Sequence, residues 1–365
     1  MDHELARYHR QMLLPGFGPE GQERLRAATA LVLGCGALGC LAADLLTRAG
    51  VGHLVVVDRD VVELTNLQRQ VLFDEQDVAE GLPKAVAAQR RLAKVNSAVR
   101  ITPVVDDLHD GNIERYVAGV DVLIDGLDNF ETRYLVNDVA VSRGIPYVYG
   151  GAVGTAGTAF VILPRTAQGR APWEMHEGIN RATACLRCLF EEPPPPGAMP
   201  TCDTAGVLAS AVTTIASFEV TEALKILTGH FDRVATTLLH MDVWYNHMAH
   251  LRVADARARG GCPCCGERRF EFLDGARGSG ASTLCGRDAV QLRPRSGAAP
   301  LDLQAVAARL GDPAGIRISA YLLRADITDN GRTYSLSLFP DGRAIIYGTD
   351  DASTARGLYA KYVGT

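Results

Sequence analysis

Three sets of residues have types and spacings that can do chemistry. The first is Gly34, Gly36 and Gly39, in G-x-G-x-x-G spacing with Ala37 inside the turn, followed further along by Asp58 and Asp60. Such glycines let backbone N–H groups approach a phosphate at the positive end of a helix, and an acid beyond the next strand can hold a ribose hydroxyl. Alone, this pattern says only "nucleotide" and suits an NAD enzyme equally well. The run Thr65-Asn66-Leu67-Gln68-Arg69-Gln70 then adds a cation and amides just past the second strand. A nicotinamide cofactor's two phosphates are already served by the glycine turn, whereas a triphosphate has more charge to neutralise.

The second set is two C-x-x-C pairs, Cys185/Cys188 and Cys262/Cys265. A single pair could be a redox dithiol, but two compose a four-thiolate tetrahedral site for zinc, closed and structural. Their wide separation would tie the late part of the chain to its middle, with Cys264 as a spectator. The third set is two isolated candidates. Asp128 follows the apolar run 120–125, where a magnesium ligand belongs, since open α/β sheets bind ligands beyond the carboxyl ends of their strands. Cys202 precedes the apolar stretch 207–227, where a helix dipole would favour thiolate; a buried, inert thiol is the alternative.

The elements that must position these groups alternate. Apolar runs at 30–33, 54–57, 101–105, 120–125, 145–151 and 157–163 read as strands, with helical patterns at 41–50, 85–96 and 207–227 between or after them. The run 157–163 reads as an antiparallel edge strand, and 238–242 as a further strand. Gly150, Gly151, Gly154 and Gly157 read as a flexible loop near a substrate groove. Asp125 reads as a strand-end turn former, and Arg133 as either a support of the site or a helix-surface arginine. Asp203 or Thr204 is expected to cap the helix 207–227, and the proline run within 191–201 to form a stiff, extended loop.

With the GCGALG turn, Asp58-x-Asp60, NLQRQ, the opening RYHRQ at 7–11, G-L-P-K at 81–84, Leu127-Asp128-Asn129 and the C-x-x-x-G-V-L that starts at Cys202, the chain resembles the ThiF/MoeB/HesA family, bacterial relatives of ubiquitin-activating enzymes. The resemblance covers roughly residues 5–270. It implies a Rossmann-like, doubly wound α/β sheet with an antiparallel extension and a structural zinc on Cys185, Cys188, Cys262 and Cys265. It implies ATP and Mg2+ held by Gly34, Gly36, Ala37, Gly39, Asp58, Asp60, Asn66, Gln68, Arg69, Lys84, Asp128 and Asn129, with magnesium on Asp128. The catalytic set would be Arg10, Arg69, Lys84, Asp128 and Cys202. Arg10 would reach the neighbouring subunit's nucleotide, so a homodimer is expected, and Cys202 would ride on a mobile crossover loop. The implied substrate is the C-terminal Gly-Gly carboxylate of a ubiquitin-like sulfur carrier protein. Adenylation would prepare it for thiocarboxylate formation with a sulfur donor such as a cysteine desulfurase. Activation of another peptide or protein C-terminus is the alternative within the family. Outside it stand an NAD-dependent oxidoreductase and a zinc-stabilised dimer that binds a carrier without activating it.

Composition sets the remaining bounds. The 365 residues carry 37 basic and 42 acidic side chains, a net charge of −5 spread along the chain, which gives no electrostatic case for nucleic acid. No segment is apolar and long enough to span a bilayer, and the charged start lacks a signal-peptide core, so a cytoplasmic protein with its nine cysteines reduced is expected. We expect residues 1–270 to form the ATP-binding domain, 271–300 a Gly/Ser/Pro-rich linker, and 301–365 a small α/β module. In that module the pattern is helix, strands at 316–327, 333–339 and 344–347, an Asp341-Gly342 hairpin turn and a last helix at 352–362. The module carries no visible chemistry.

Overall fold

The computed structural model describes residues 5–167, 169–178, 180–194, 202–258, 260–277, 281–284, 288–292, 301–310, 315–329 and 331–364. The chain divides into two compact units, Met1–Pro195 with Ala205–Gly278, and Ser279–Thr365 with Pro196–Thr204.

The first unit is built on eight strands: β1 (Thr29–Leu33), β2 (His53–Val57), β3 (Arg100–Val104), β4 (Val122–Asp125), β5 (Tyr147–Val153), β6 (Ala156–Ile162), β7 (Thr237–Asp242) and β8 (His247–Arg252). Their order is β3-β2-β1-β4-β5-β6-β7-β8. The first five run parallel and the last three antiparallel. Because β1 pairs with both β2 and β4, the strand order reverses there. That leaves a crevice at the carboxyl ends of β1 and β4, the position where doubly wound sheets bind ligands.

Both faces of the parallel sheet are covered, which explains the unbroken apolar runs. Ala30 and Val32 of β1 pack on one side against Leu46, Ala85 and Leu92 from the helices Ala37–Ala49 and Lys84–Val95. Leu31 and Leu33 pack on the other side against Tyr134 and Val136 of the helix Phe130–Arg143. The helix Ala209–Leu227 lies on the first of these faces.

Four expectations are corrected here. β6 is not the edge of the sheet; β7 and β8 extend it, and β8 is exposed at every residue but the half-buried Ala249. The glycines at 150–157 do not form a loop. Gly150 and Gly151 lie in β5 and Gly157 in β6, and only Gly154 turns the hairpin, at φ 63°. The long apolar helix starts at Ala209, with Leu208 at its N-cap and no side-chain cap. Neither Asp203 nor Thr204 caps it, because a separate helical turn, Cys202–Ala205, ends at Gly206 with φ 73°. Val207 then forms a parallel bridge with Gly154, between the two helices. Of the proline-rich stretch, residues 195–201 lie outside the described residues.

The second unit is an antiparallel sheet in the order β11-β12-β13-β14-β10-β9. Its strands are β9 (Ala281–Leu284), β10 (Ala289–Leu292), β11 (Arg317–Ile318), β12 (Leu323–Asp329), β13 (Arg332–Leu338) and β14 (Ala344–Tyr347). The helices Leu303–Leu310 and Ala352–Tyr362 pack Val306 and Leu358 against Leu323, Leu336 and Ile346. Gly342 turns the hairpin at φ 87°, and Asp351 caps the last helix by accepting from the Ser353 and Thr354 N–H groups. Two differences from the sequence reading stand out. The stretch 271–300 contributes β9 and β10 to the sheet, and the strand expected at 316–327 breaks at a turn where the Ser319 N–H donates to the Leu322 carbonyl. No helix among the described residues is long and apolar enough to cross a membrane.

Candidate active site and metal centre

The glycine turn is shaped by what it touches. Gly34 has φ 86°, and a Cβ on it would stand 2.5 Å from the Gly126 carbonyl oxygen. A Cβ on Gly39 would stand 1.9 Å from the Gly34 carbonyl oxygen. Any side chain at either position therefore breaks the turn or pushes β1 away from the end of β4. Gly36 is the N-cap of the helix Ala37–Ala49, and Ala37 its first residue. The first N–H groups of that helix thus open onto the crevice.

The acids and cations of the reading converge beside this turn. Asp58, at the end of β2, accepts the Cys35 N–H at 2.6 Å on one oxygen and the Asp60 N–H at 2.7 Å on the other. Burial pushes its carboxyl up, against the pull of Lys84. Lys84, only 4% exposed at the first position of its helix, donates to Asp60 at 2.9 Å. Asp128 is exposed beyond β4, on the loop whose Gly126 contacts Gly34. It takes one hydrogen bond, from the Asn129 side-chain amide at 3.3 Å. The remaining expected ligands are placed differently. Asn129 spends its carbonyl oxygen on the Thr132 N–H as the cap of the helix Phe130–Arg143. Asn66 is buried, and its oxygen accepts the Glu63 N–H. Gln68 is exposed, and Arg69 donates to the Thr65 carbonyl at 2.9 Å.

Sequence reading passed over Arg59 and Glu219 here and left Arg133 open between two roles. Arg59, between the two acids, pairs with Asp107 at 3.0 Å and lies 3.8 Å from Asp60. Burial works against its charge, but the carboxylates of Asp107, Asp128, Asp60 and Asp58 hold it firmly protonated. Arg133 is no surface arginine. It pairs with the buried Asp125 at 3.0 Å and donates to the Leu127 and Gly150 carbonyls, bracing the β4 end, the 126–127 turn and β5 together. Asp125 forms the expected turn by accepting the Leu127 N–H, and it also accepts the Tyr147 hydroxyl. Glu219 is fully buried, and among the described residues neither carboxyl oxygen has a hydrogen-bond partner. Its carboxyl carbon fills the place of a Gly150 side chain, 2.4 Å from where that Cβ would stand. No local signal marked it, since the same helix also carries Glu222 and Lys225.

Arg10 stays away from this cluster. Tyr8 is buried with its ring over Gly50 and its hydroxyl accepting from Asn96. Arg7 also reaches Asn96, and Gln11 donates to Gln22 and to the Ala49 carbonyl. These contacts pin the arm at the far end of a 13-residue helix from the glycine turn, about 20 Å away at 1.5 Å per residue. Arg10 itself is exposed. Cys202 begins its own short turn rather than the long helix, and its side chain lies outside the described residues.

The four cysteines meet. Cys185 and Cys188 sulfurs are 3.8 Å apart, Cys185 and Cys262 3.6 Å, and Cys188 and Cys265 3.4 Å, and all four lie within 4.8 Å of one another. A tetrahedron with Zn–S bonds near 2.3 Å has sulfur–sulfur edges of about 3.8 Å, so the donor set fits zinc. Cys264 is outside the cluster, buried with its sulfur accepting the Asn137 amide. The same Asn137 accepts the Leu186 N–H at 2.8 Å, so one side chain touches both knuckles.

Residues 8–264 match the ThiF family model. The chain is 41% identical over 361 residues to the sulfur carrier protein ThiS adenylyltransferase of Bacillus subtilis (strain 168), covering 98% of this chain and 99% of that one. That coverage includes the second unit. It is 43% identical over 264 residues to a sulfur carrier protein adenylyltransferase of Thermus thermophilus, covering 72% and 92%. Among solved structures, E. coli MccB with ATP matches with a TM-score of 0.54 at 20% identity, over 70% of this chain and 72% of that one. This last likeness concerns the fold.

Proposed function

This chain belongs to the ThiF family and is an ATP-using nucleotidyltransferase, and from that premise we propose what it acts on and how. It adenylates the C-terminal glycine carboxylate of a ubiquitin-like sulfur carrier protein, releasing pyrophosphate and preparing the carrier for thiocarboxylate formation. A carboxylate is a poor electrophile, and a polyphosphate repels it. Joining it to AMP supplies a leaving group, and cations at the phosphates remove the repulsion. No side-chain base is needed, because the attacking carboxylate is already ionised.

One observation carries this reading: a buried lysine, Lys84, paired with Asp60 beside a glycine turn, with Arg59 and the exposed Asp128 next to it. A dinucleotide site has no use for that many charges. Lys84 and Arg69 bind the triphosphate oxygens, Asp58 orients the ribose, and the helix N-terminus at Ala37 faces the phosphates. Asp128 offers hard carboxylate oxygens suited to magnesium. Bound there, the metal would neutralise charge on the phosphates and on the departing pyrophosphate. Arg59 holds Asp107 and Asp60 in place around them. Two observations support a homodimer with shared sites: Arg10 is exposed, and its arm is anchored far from its own chain's glycine turn. The sulfur donor is a persulfide-bearing enzyme such as a cysteine desulfurase, and Cys202 serves that later step. Zinc on the four cysteines locks residues 185–188 to 262–265 and takes no part in the chemistry.

The test is exchange of labelled pyrophosphate into ATP. Wild-type protein should catalyse it only with a carrier ending in Gly-Gly, and Asp128→Ala should abolish it while circular dichroism is unchanged. Wild-type exchange in Asp128→Ala would overturn the assignment.

A further inference from the structure

A cavity lies at the opposite end of the strands from the glycine turn. β6 runs antiparallel to its parallel neighbour, with Ile162 opposite Tyr147 at the start of β5. The carbonyl of Leu163, just after β6, accepts the Thr183 N–H, and Thr237 at the start of β7 faces Arg252 at the end of β8. Thr183, Thr236 and Val253 therefore gather where the parallel strands begin, whereas Gly34, Asp58 and Asp128 sit where they end. The cavity they help to line has a volume of about 550 Å³, within the usual range of small-molecule sites.

Its lining is cationic. Arg165, Arg181 and Arg257 contribute to it, with Asn180, Thr183 and Thr236 as neutral hydrogen-bonding groups, and no acidic residue lines it. Among the described residues none of the three arginines has an ion pair. Arg257 donates to the Ala182 carbonyl. The Arg181 Nε is sealed from solvent with no acceptor, although its backbone is fixed by a bond from its N–H to the Trp173 carbonyl at 2.9 Å. A buried guanidinium nitrogen without an acceptor is costly, and three like charges around one hollow repel one another. Both costs are met by a multiply charged anion with several acceptor oxygens. Guanidinium groups match the oxygens of phosphate better than those of a point anion such as chloride.

We propose that this cavity is a binding site for a small phosphorylated ligand, separate from the nucleotide site, with Arg165, Arg181 and Arg257 on the phosphate and Asn180 and Thr236 on the attached group. The proposal does not depend on the adenylation chemistry.

The experiment is calorimetric titration of the full chain with inorganic phosphate and with inorganic pyrophosphate, the nucleotide site being filled beforehand by a non-hydrolysable ATP analogue with magnesium. One saturable site per chain is expected, with pyrophosphate the tighter of the two if the natural ligand is a diphosphate and the two equal if it is a monoester. Arg181→Gln should weaken binding at least tenfold. Arg165→Gln, at an exposed position where folding is not at risk, should weaken it severalfold. Absence of saturable binding, or the same affinity in both variants as in the wild type, overturns the site.

Discussion

Glu219 offers a measurement whose size follows from its surroundings. Its carboxyl is 0% exposed, and among the described residues it has no hydrogen-bond partner. Burial pushes its pKa well above the ordinary value near 4.5; Asp125 adds to that, and Arg133 opposes it. The group is therefore held as the neutral acid in the folded chain and ionises when the chain unfolds. Where the folded pKa is the higher one, the folded state binds more protons, so stability is intact below pH 4.5 and falls as pH rises toward the folded pKa. The slope for one such group is about 1.4 kcal/mol per pH unit. Glu219→Gln keeps the shape and cannot ionise. Its stability relative to wild type should rise from pH 5 to pH 6, approaching that slope while the wild-type carboxyl stays protonated in the fold. The titration of Asp125 is common to both proteins and cancels in the difference. Urea unfolding followed by tryptophan fluorescence reads this directly, because both tryptophans of the chain, Trp173 and Trp244, lie in the first unit. Parallel stability curves for the two proteins across that range would mean that Glu219 is ionised in the fold, and the argument from burial would fail.

Freshly purified protein should contain one zinc per chain, and Cys185→Ser or Cys265→Ser should lose it together with several kcal/mol of stability, because structural zinc contributes folding free energy directly; metal analysis that finds none would favour a redox role for the C-x-x-C pairs. Arg10→Ala should abolish pyrophosphate exchange without preventing dimerisation, and mixing it with Asp128→Ala should restore part of the activity, since one site of the heterodimer then has both residues intact. No recovery despite verified subunit exchange would place Arg10 in its own chain's site. Cys202→Ser should leave pyrophosphate exchange near normal but lower thiocarboxylate formation from a protein persulfide, read as a gain of about 16 Da on the carrier by mass spectrometry. The defect should shrink with inorganic sulfide, which is small enough to attack the adenylate directly; full thiocarboxylate from the persulfide donor would reduce Cys202 to a packing residue.

The sequence by itself determined the parallel half of the sheet and the glycine turn at its centre. Strands buried on both faces must be apolar throughout, so β1, β2 and β4 were legible as uninterrupted runs. The glycines at 34 and 39 were legible because no other residue tolerates carbonyl oxygens at 2.5 and 1.9 Å from a Cβ. The cysteine pairs were legible because ligand chemistry dictates residue type and local spacing. Tertiary structure alone decided the rest. β8 shows no periodicity, since it is held by backbone pairing to β7 and buries neither face. Gly150 and Gly151 read as a loop because glycine is the commonest sign of one. The missing side chain of Gly150 instead answers to Glu219, which comes from a helix distant in sequence. Arg59 drew no reading, and Arg133 stood open between support of the site and a place on the helix surface. Whether a charge faces water or a buried carboxylate depends on where other strands end, and no local pattern records that. The same holds for Arg165, Arg181 and Arg257, which are scattered over more than ninety positions in the sequence and share one cavity only because β6 and β8 end where β7 begins.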